Sequence, residues 1–323
     1  MPRSKATAKR SLGAIVIPRE QRNVTLEIEG KQVRLSNLDK PFWPELGLTK
    51  GDLLQYYADM SSVLLPHLQN RAMVMRRYPD GAYGQQFFMK RAPTPRPPWI
   101  ETIAIAHPNA GIVDYPVMND LAALLWLVNL GCIDLNPWYA TIDDPDRPWV
   151  MAFDLDPVKT PRPTPFAKAL ETALLVRDAL TTLKMKGYPK TSGSNGLHIY
   201  VPLQRALESK DVTDIARGIS QTLARARPDL VTAEFRIARR PAGRVLVDHN
   251  QNAWGKTLAS VYSVRPRPQA TVSAPLSWKE IEQGVEVQDF RIDNMPQRVK
   301  KVGDLFAPVL AKSGRADLGR LLQ

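Results

Sequence analysis

The chain has 323 residues, enough for one large catalytic unit of two lobes or for two small domains. Its formal net charge of +12 favours a polyanionic partner and opposes acidic ones. A single cysteine, Cys132, excludes an internal disulfide framework or a cysteine-built zinc cluster, and the greasiest stretch, 121–130, is far short of the ~20 residues that span a bilayer. A soluble intracellular protein with no membrane partner is expected.

In chain order, residues 1–22 carry six Lys/Arg against one Glu and read as a flexible basic arm. Residues 24–34 alternate at period two about a Gly-Lys turn, which predicts a hairpin. Thr49 to Asp52 forms a capping box, and the helix it opens places Leu53, Tyr56, Met60 and Val63 or Leu64 on one face. Between 72 and 90, short strand-like runs alternate with Gly and Pro turns. Asn119 or Asp120 then caps an apolar helix that runs to 130. Residues 148–157 read as a buried strand, because Trp149, Val150, Met151, Ala152 and Phe153 form a continuous apolar run. Thr164-Pro165 opens a helix with a stripe of Ala173, Val176, Leu180 and Leu183. A strand at 197–203 follows, then a helix capped by Asp211 with Val212, Ile215, Ile219 and Leu223 inward, then a strand at 245–248. The remainder is helical and mixed. This irregular alternation predicts an α+β (mixed α/β) fold with a central, largely antiparallel sheet flanked by helices. The expected organisation is an arm at 1–22, a two-lobed catalytic domain at 23–305 and a helical tail at 306–323.

Five constellations carry chemistry. Asp154 and Asp156 stand at i and i+2 on a strand, so their carboxylates share one face while Phe153 and Leu155 pack behind. Such a pair suits a hard divalent cation, although the spacing alone also fits a solvated turn. Asp248 ends another apolar strand and can supply a third ligand or merely cap that strand. Its neighbour His249 points the other way. The small polar loop from Ser192 to Gly196 can turn amides toward a phosphate, with His198 on the strand that follows. A tight turn beside a buried histidine reads equally well. Lys256, Arg265 and Arg267 form a cationic run stiffened by prolines, suited to a triphosphate or to a plain charged surface. Phe87-Phe88 before Lys90-Arg91 suggests a base-stacking site, since adjacent aromatics on a strand cannot both face a one-sided core.

The stretches FDLDP (153–157), TSGSNGLHIYVPL (191–203) and VDHNQNAWGKTLASVYSVRPRP (247–268) together resemble, in order and spacing, the three active-site motifs of the polymerase domain of bacterial ligase D. That domain is a branch of the archaeo-eukaryotic primase superfamily. Asn37 to Lys40, Trp43-Pro44, Thr49-Lys50, Phe87-Phe88 and Pro98-Trp99 are also similar, so the resemblance runs from about 24 to 305. It implies a primase-polymerase-like fold and catalytic, metal-binding roles for Asp154, Asp156 and Asp248 with two Mn²⁺ or Mg²⁺ ions. It implies nucleotide contacts from Ser192, Ser194, Asn195, His198, Gln251, Lys256 and Arg265. Lys40 and Lys50 are implied to bind a downstream 5′-phosphate, and Phe87 and Phe88 to stack on template bases. The implied setting is the bacterial cytoplasm at the nucleoid, acting with NTPs or dNTPs on gapped or broken DNA in non-homologous end joining, alongside Ku and a separate DNA ligase. No K-x-D-G ligase nucleophile motif occurs here. One departure stands out: Asn195 replaces a lysine usual in the family, and Lys190 or Lys256 is expected to compensate. A metal-dependent nuclease and a non-catalytic end-bridging protein are the competing readings.

Overall fold

The computed structural model describes residues 15–108, 110–158 and 165–321. Most of the predicted basic arm, Thr164 and the proline-rich loop before it lie outside these residues. The first hairpin pairs β1 (Asn23–Ile28) with β2 (Lys31–Ser36), Ile28 opposite Lys31. Its turn is Glu29-Gly30 rather than Gly-Lys. Both residues have positive φ, the geometry whose twist matches two antiparallel strands. A small ribbon of β3 (Pro41–Trp43) and β4 (Leu48–Thr49) leads into α1 (Lys50–Leu64). The Thr49–Asp52 capping box is present, and Leu53, Tyr56, Met60 and Leu64 are the buried members of the predicted stripe.

Next come β5 (Met73–Arg77), the edge strand β6 (Phe87–Met89), and a hairpin of β7 (Thr102–His107) and β8 (Gly111–Pro116). Helix α2 (Leu121–Asn129) is capped by Asp120, which accepts from Ala123 N at 2.8 Å. Asn119 instead accepts from Asn70 N. Residues 121–128 are all buried, so this helix is core on every side. Strand β9 (Cys132–Pro137) joins β5 and β6 in a three-stranded antiparallel sheet, order β6-β5-β9.

A five-stranded sheet follows. It is built from β10 (Val150–Pro157), β11 (Tyr188–Thr191), β12 (Leu197–Pro202), β13 (Val231–Thr232) and β14 (Val245–Asp248), in the order β11-β12-β10-β14-β13. Only β13–β14 is parallel, so the antiparallel expectation holds. Helices α3 (Pro165–Thr182) and α4 (Ser209–Ala226) pack on this sheet. Helix α4 starts earlier than predicted. Glu208 is its N-cap residue, Ser209 is tied to the Asp146 carbonyl, and Asp211 sits in the first turn, where a carboxylate complements the helix dipole. Two short helices, α5 (Trp278–Gln283) and α6 (Met295–Val302), complete the chain with several 3-10 turns.

The two sheets are joined by an irregular segment that zips between them. Ser260 N donates to Leu135 O and Leu135 N to Ser263 Oγ on one side, while Thr191 N donates to Ala274 O on the other. One contiguous core runs through both sheets and includes Phe306, Val309, Ala316 and Leu318. The stretch expected as a helical tail therefore contributes to the core. Its ordered turns are Ala307–Leu310 and Gly319–Leu321, and Ala316 bridges Leu203.

Candidate active site

The register of the larger sheet sets four polar side chains in one row. Lys190 lies opposite His198, His198 opposite Asp154, and Asp154 opposite Asp248, across β11, β12, β10 and β14. Residues facing one another across antiparallel strands project to the same side. Asp156, two positions on, shares that side. Phe153 and Leu155 are fully buried behind them. Burying each contributes roughly 1.5–3 kcal/mol, and a one-residue slip of β10 would exchange them for two carboxylates. The hydrophobic alternation thus fixes the register that aims the aspartates.

These carboxylates crowd one another. Burial, then Asp248, then Asp156 push the Asp154 carboxyl up to about 7. Each is held by a neighbour. Asp154 Oδ1 lies 3.4 Å from His198 Nε2. Asp156 accepts from Arg240 Nη1 at 2.8 Å. Asp248 accepts from Asn250 N at 2.8 Å and from Gln251 Nε2 at 2.9 Å. Among the described residues, no three ligating side chains converge on one point as they stand. The donor set nevertheless fits a hard divalent cation: three oxygen acids on one edge, one of them made reluctant to ionise by burial and by the other two. Arg240 already supplies a cation to Asp156 where a metal would compete.

The facing wall comes from the smaller sheet. Phe88, Arg76 and Asp134 form a second row across β6, β5 and β9. Asp134 is fully buried and accepts from Arg76 Nη1 at 3.0 Å. Arg265 reaches in from the joining segment, with Nε 3.6 Å from Asp134 Oδ2 and Nη1 donating to Ser192 O. Arg267 Nη2 donates to Ser194 Oγ. One buried carboxylate therefore anchors two arginines from separate parts of the chain. Its Oδ1 and the Arg265 Nε lack hydrogen-bond partners, a cost that paired buried charges normally avoid.

Between the walls lies a cleft of ≈ 460 Å³ lined by Asp154, Asp156, Ser192, Ser194, Asn195, His198, Gln251, Arg76, Arg265 and Arg267, with Asn136 and Thr257. Asp248 joins it through Gln251. The Ser192–Gly196 loop is bound tightly to β10: a Cβ on Gly196 would sit 2.1 Å from Leu155 O, and Gly193 has a φ of +65°. Ser192 Oγ takes the amides of Ser194 and Gly196, and Ser192 N donates to Gly196 O. The amides of Ser192, Ser194 and Gly196 are spent internally, which interrupts the predicted run of consecutive free N–H groups and leaves side chains and flanking guanidiniums beside it.

The other predicted residues fall elsewhere. Lys256 is exposed and outside the cleft lining. Lys190 is buried with its ammonium fully engaged, so neither lysine is placed to replace the charge absent at the exposed Asn195. His249 faces away, its ring edge-on to Phe235. Lys50 is buried beneath the surface, its Nζ donating to Ser36 O at 2.7 Å. Burial, Lys40 and Arg77 lower it to about 8. Lys40 pairs with Asp80 at 2.7 Å. Phe87 and Phe88 are 46% and 63% exposed, so both project outward where only one was expected. A three-residue edge strand at Phe87–Met89 cannot cover either face.

Residues 49–306 match the family model described as the LigD primase-polymerase domain. The chain belongs to that family. Among its LigD relatives is the multifunctional non-homologous end joining protein LigD of Mycolicibacterium smegmatis, 36% identical over 89% of this chain and 37% of that protein. The bifunctional LigD of Bacillus subtilis is 32% identical over 85% of this chain and 44% of its own length. This chain thus spans about two fifths of the curated relatives it matches. The polymerase domain of Mycobacterium tuberculosis ligase D, solved in complex with DNA, superposes with a TM-score of 0.80 at 32% identity, covering 86% of this chain and 98% of that one. The LigD resemblance and the α+β primase-polymerase-like fold read from the motifs are borne out.

Sequence reasoning missed Arg76, Asp134, Asn136 and Arg240. Asp134 and Asn136 sit at i and i+2 within the apolar run CIDLNP. A carboxylate in such a run needs a buried partner, which was a legible signal. Arg76 and Arg240 carried none.

Proposed function

We propose that the chain is a DNA-dependent nucleotidyltransferase that adds NTPs or dNTPs to a primer strand at gaps or double-strand breaks, in end joining or gap filling. The observation that carries this reading is the cleft itself. Three aspartates stand on one edge, and three arginines, Arg76, Arg265 and Arg267, stand on the other. A nuclease needs the acids but has no use for a triphosphate clamp.

In this reading Asp154, Asp156 and Asp248 hold two Mn²⁺ or Mg²⁺ ions. When bound, these supply charge neutralisation and acidify the attacking hydroxyl. The protein's own groups do the rest. Arg265 and Arg267 orient the triphosphate along the Ser192–Gly196 loop, where Ser192, Ser194 and Asn195 lie. His198 Nε2 donates to a phosphate oxygen. Asp248 fixes the Gln251 amide toward the nucleotide. Lys40, Lys50 and Arg77 gather positive charge for a downstream 5′-phosphate, while Phe87 and Phe88 offer two rings to template bases. Ku and a separate ligase are the partners this role requires. Among the described residues no helix is long and apolar enough to cross a membrane.

The test is a gapped, 5′-phosphorylated duplex incubated with Mn²⁺ and either NTPs or dNTPs. Primer extension supports the reading, shortening supports a nuclease, and a mobility shift without either supports an end-bridging protein. Two substitutions refine it. Lys50→Ala removes a cation that burial, Lys40 and Arg77 hold at reduced pKa. We expect about a tenfold loss of preference for the 5′-phosphorylated gap and a shallower salt dependence of binding. An unchanged preference would remove Lys50 from phosphate recognition. Asn195→Lys restores a cation beside Ser194, and the apparent nucleotide KM should fall roughly fivefold with little change in kcat.

A further inference from the structure

The wall that faces the three aspartates carries three guanidiniums, yet it is built around an acid. Asp134 is completely buried and is absent from the cleft lining. A carboxylate there weakens the pull of the wall on a polyanion, and burying one is costly unless its partners are fixed. Its contacts give the reason for it. Arg76 is its direct cross-strand partner, β5 against β9, and donates from Nη1 to Oδ2 at 3.0 Å. The Nη2 of that guanidinium is taken by Gln86 Oε1 at 2.6 Å, which also accepts from the Tyr78 hydroxyl at 2.9 Å. Arg265 arrives from the segment joining the sheets and points Nε at the same Oδ2, within ion-pair range at 3.6 Å. Its stem lies against Gly193, where a Cβ would meet Arg265 Cγ at 2.5 Å, and its Nη1 donates to Ser192 O. Both arginines line the cleft, while the acid sits behind them.

We propose that Asp134 is a positioning residue for the incoming triphosphate. Its Oδ2 sets Arg76 of the smaller sheet and Arg265 of the joining segment at a fixed spacing, so that the two guanidiniums act as one clamp. Like charges brought that close repel, and a shared carboxylate oxygen is what holds them together. Because Arg265 also reaches Ser192 O, the same spacing is carried across to the Ser192–Gly196 loop of the larger sheet. An apolar residue of similar volume would fill the core equally well, but it would release both arginines.

The ligand in this role rests on the polymerase reading, so binding is measured apart from extension and the two can fail separately. ATP is titrated into the full chain in Mn²⁺ by calorimetry, and Mn²⁺-dependent primer extension is followed in parallel. Asp134→Asn keeps the shape and removes the charge that holds the arginines. Positioning predicts that ATP affinity falls about tenfold, with KM raised to match and kcat changed far less. An acid that only dilutes the positive wall predicts the opposite sign, since its removal would tighten ATP. A purely structural acid lowers the unfolding midpoint and leaves affinity alone. Either result overturns the proposal. In an Arg265→Met background, Asp134→Asn should cost no more than about a further threefold, because one arm of the clamp is already gone. Full additivity would mean that the acid does not act through Arg265. If Asp134→Asn does not fold, Asp134→Ser, which leaves room for a water between the guanidiniums, takes its place. Failure of both to fold makes Asp134 a folding residue and ends the proposal. If wild type binds no ATP, there is no clamp to position. If wild type binds ATP, Asp134→Asn weakens it and no primer is extended, the positioning role stands and the polymerase reading fails. If wild type extends primers with a KM that the substitution does not move, the reverse holds.

Discussion

Asp248→Ala should abolish primer extension, by on the order of a thousandfold or more, while leaving binding to gapped DNA within about twofold of wild type. The first half follows from the register. Asp248 is the cross-strand partner of Asp154, and no other carboxylate in the cleft replaces it on β14. The loss has two sources. One of the three proposed acidic ligands disappears, and the Asn250 amide and Gln251 side chain lose their acceptor, so Gln251 is no longer aimed. The second half follows from separation: Lys40, Lys50, Phe87 and Phe88 lie outside the cleft lining and keep their surroundings. The fold should survive, because Val245, Leu246 and Val247 hold β14 in the core. Extension rate and a binding isotherm on the same gapped duplex check both halves. Extension within tenfold of wild type would sink the three-aspartate arrangement.

The second large effect concerns stability. The Asp154 carboxyl ionises at about 7 in the folded chain, against 3.8 for an unperturbed aspartate. The folded state therefore holds this proton more tightly than the unfolded state. The stabilisation it provides is complete below about 4, drains away as pH rises toward 7, and is gone above it. At pH 8 without metal, the ionised carboxylate is buried beside Asp248 and Asp156, and Lys190 and Arg265 offset only part of that cost. Asp154→Asn cannot ionise and keeps an oxygen for His198 Nε2. It should raise the unfolding free energy by about 2–4 kcal/mol at pH 8 in chelator, and by less than about 1 kcal/mol near pH 4. Millimolar Mn²⁺ should reverse the order, since only the native protein with its full acid set gains binding energy. Urea titrations at the two pH values, with and without Mn²⁺, measure this. An equal gap at both pH values would mean that Asp154 is not strained by its neighbours. The same substitution is expected to eliminate extension, which sets stability against function at one atom.

Much of this was legible from the chain. Alternating burial around Asp154 and Asp156 followed from an apolar run punctuated at period two, and Asp248 ended its strand as expected. The capping box at Thr49 and the antiparallel pairing of the central strands also emerged directly. What could not be read was convergence between separate sheets. Arg76 and Asp134 gain meaning only because β5 and β9 face the larger sheet across the joining segment, a relation between residues far apart in the chain. Arg240 lies in a stretch without periodicity, so nothing announced its contact with Asp156. Lys190 was misjudged for a subtler reason. Beside a polar loop it read as a free cation, whereas in the fold it is completely buried, its Nζ against the Ala259 carbonyl, Ser273 Oγ and His198 Nδ1.

The tight seating of the Ser192–Gly196 loop has a consequence for how such a site can change over time. Gly196 abuts the Leu155 carbonyl and Gly193 abuts Arg265, so those two positions tolerate almost no alternative. Ser192 is consumed in holding the loop's own amides. Position 195 is exposed and borders the cleft without bracing the loop. Position 195 is therefore the exposed place in this loop where a cation can be gained or lost without disturbing the strand beneath. In the proposed reading, nucleotide affinity could be tuned at position 195 like a dial while the three aspartates stay fixed.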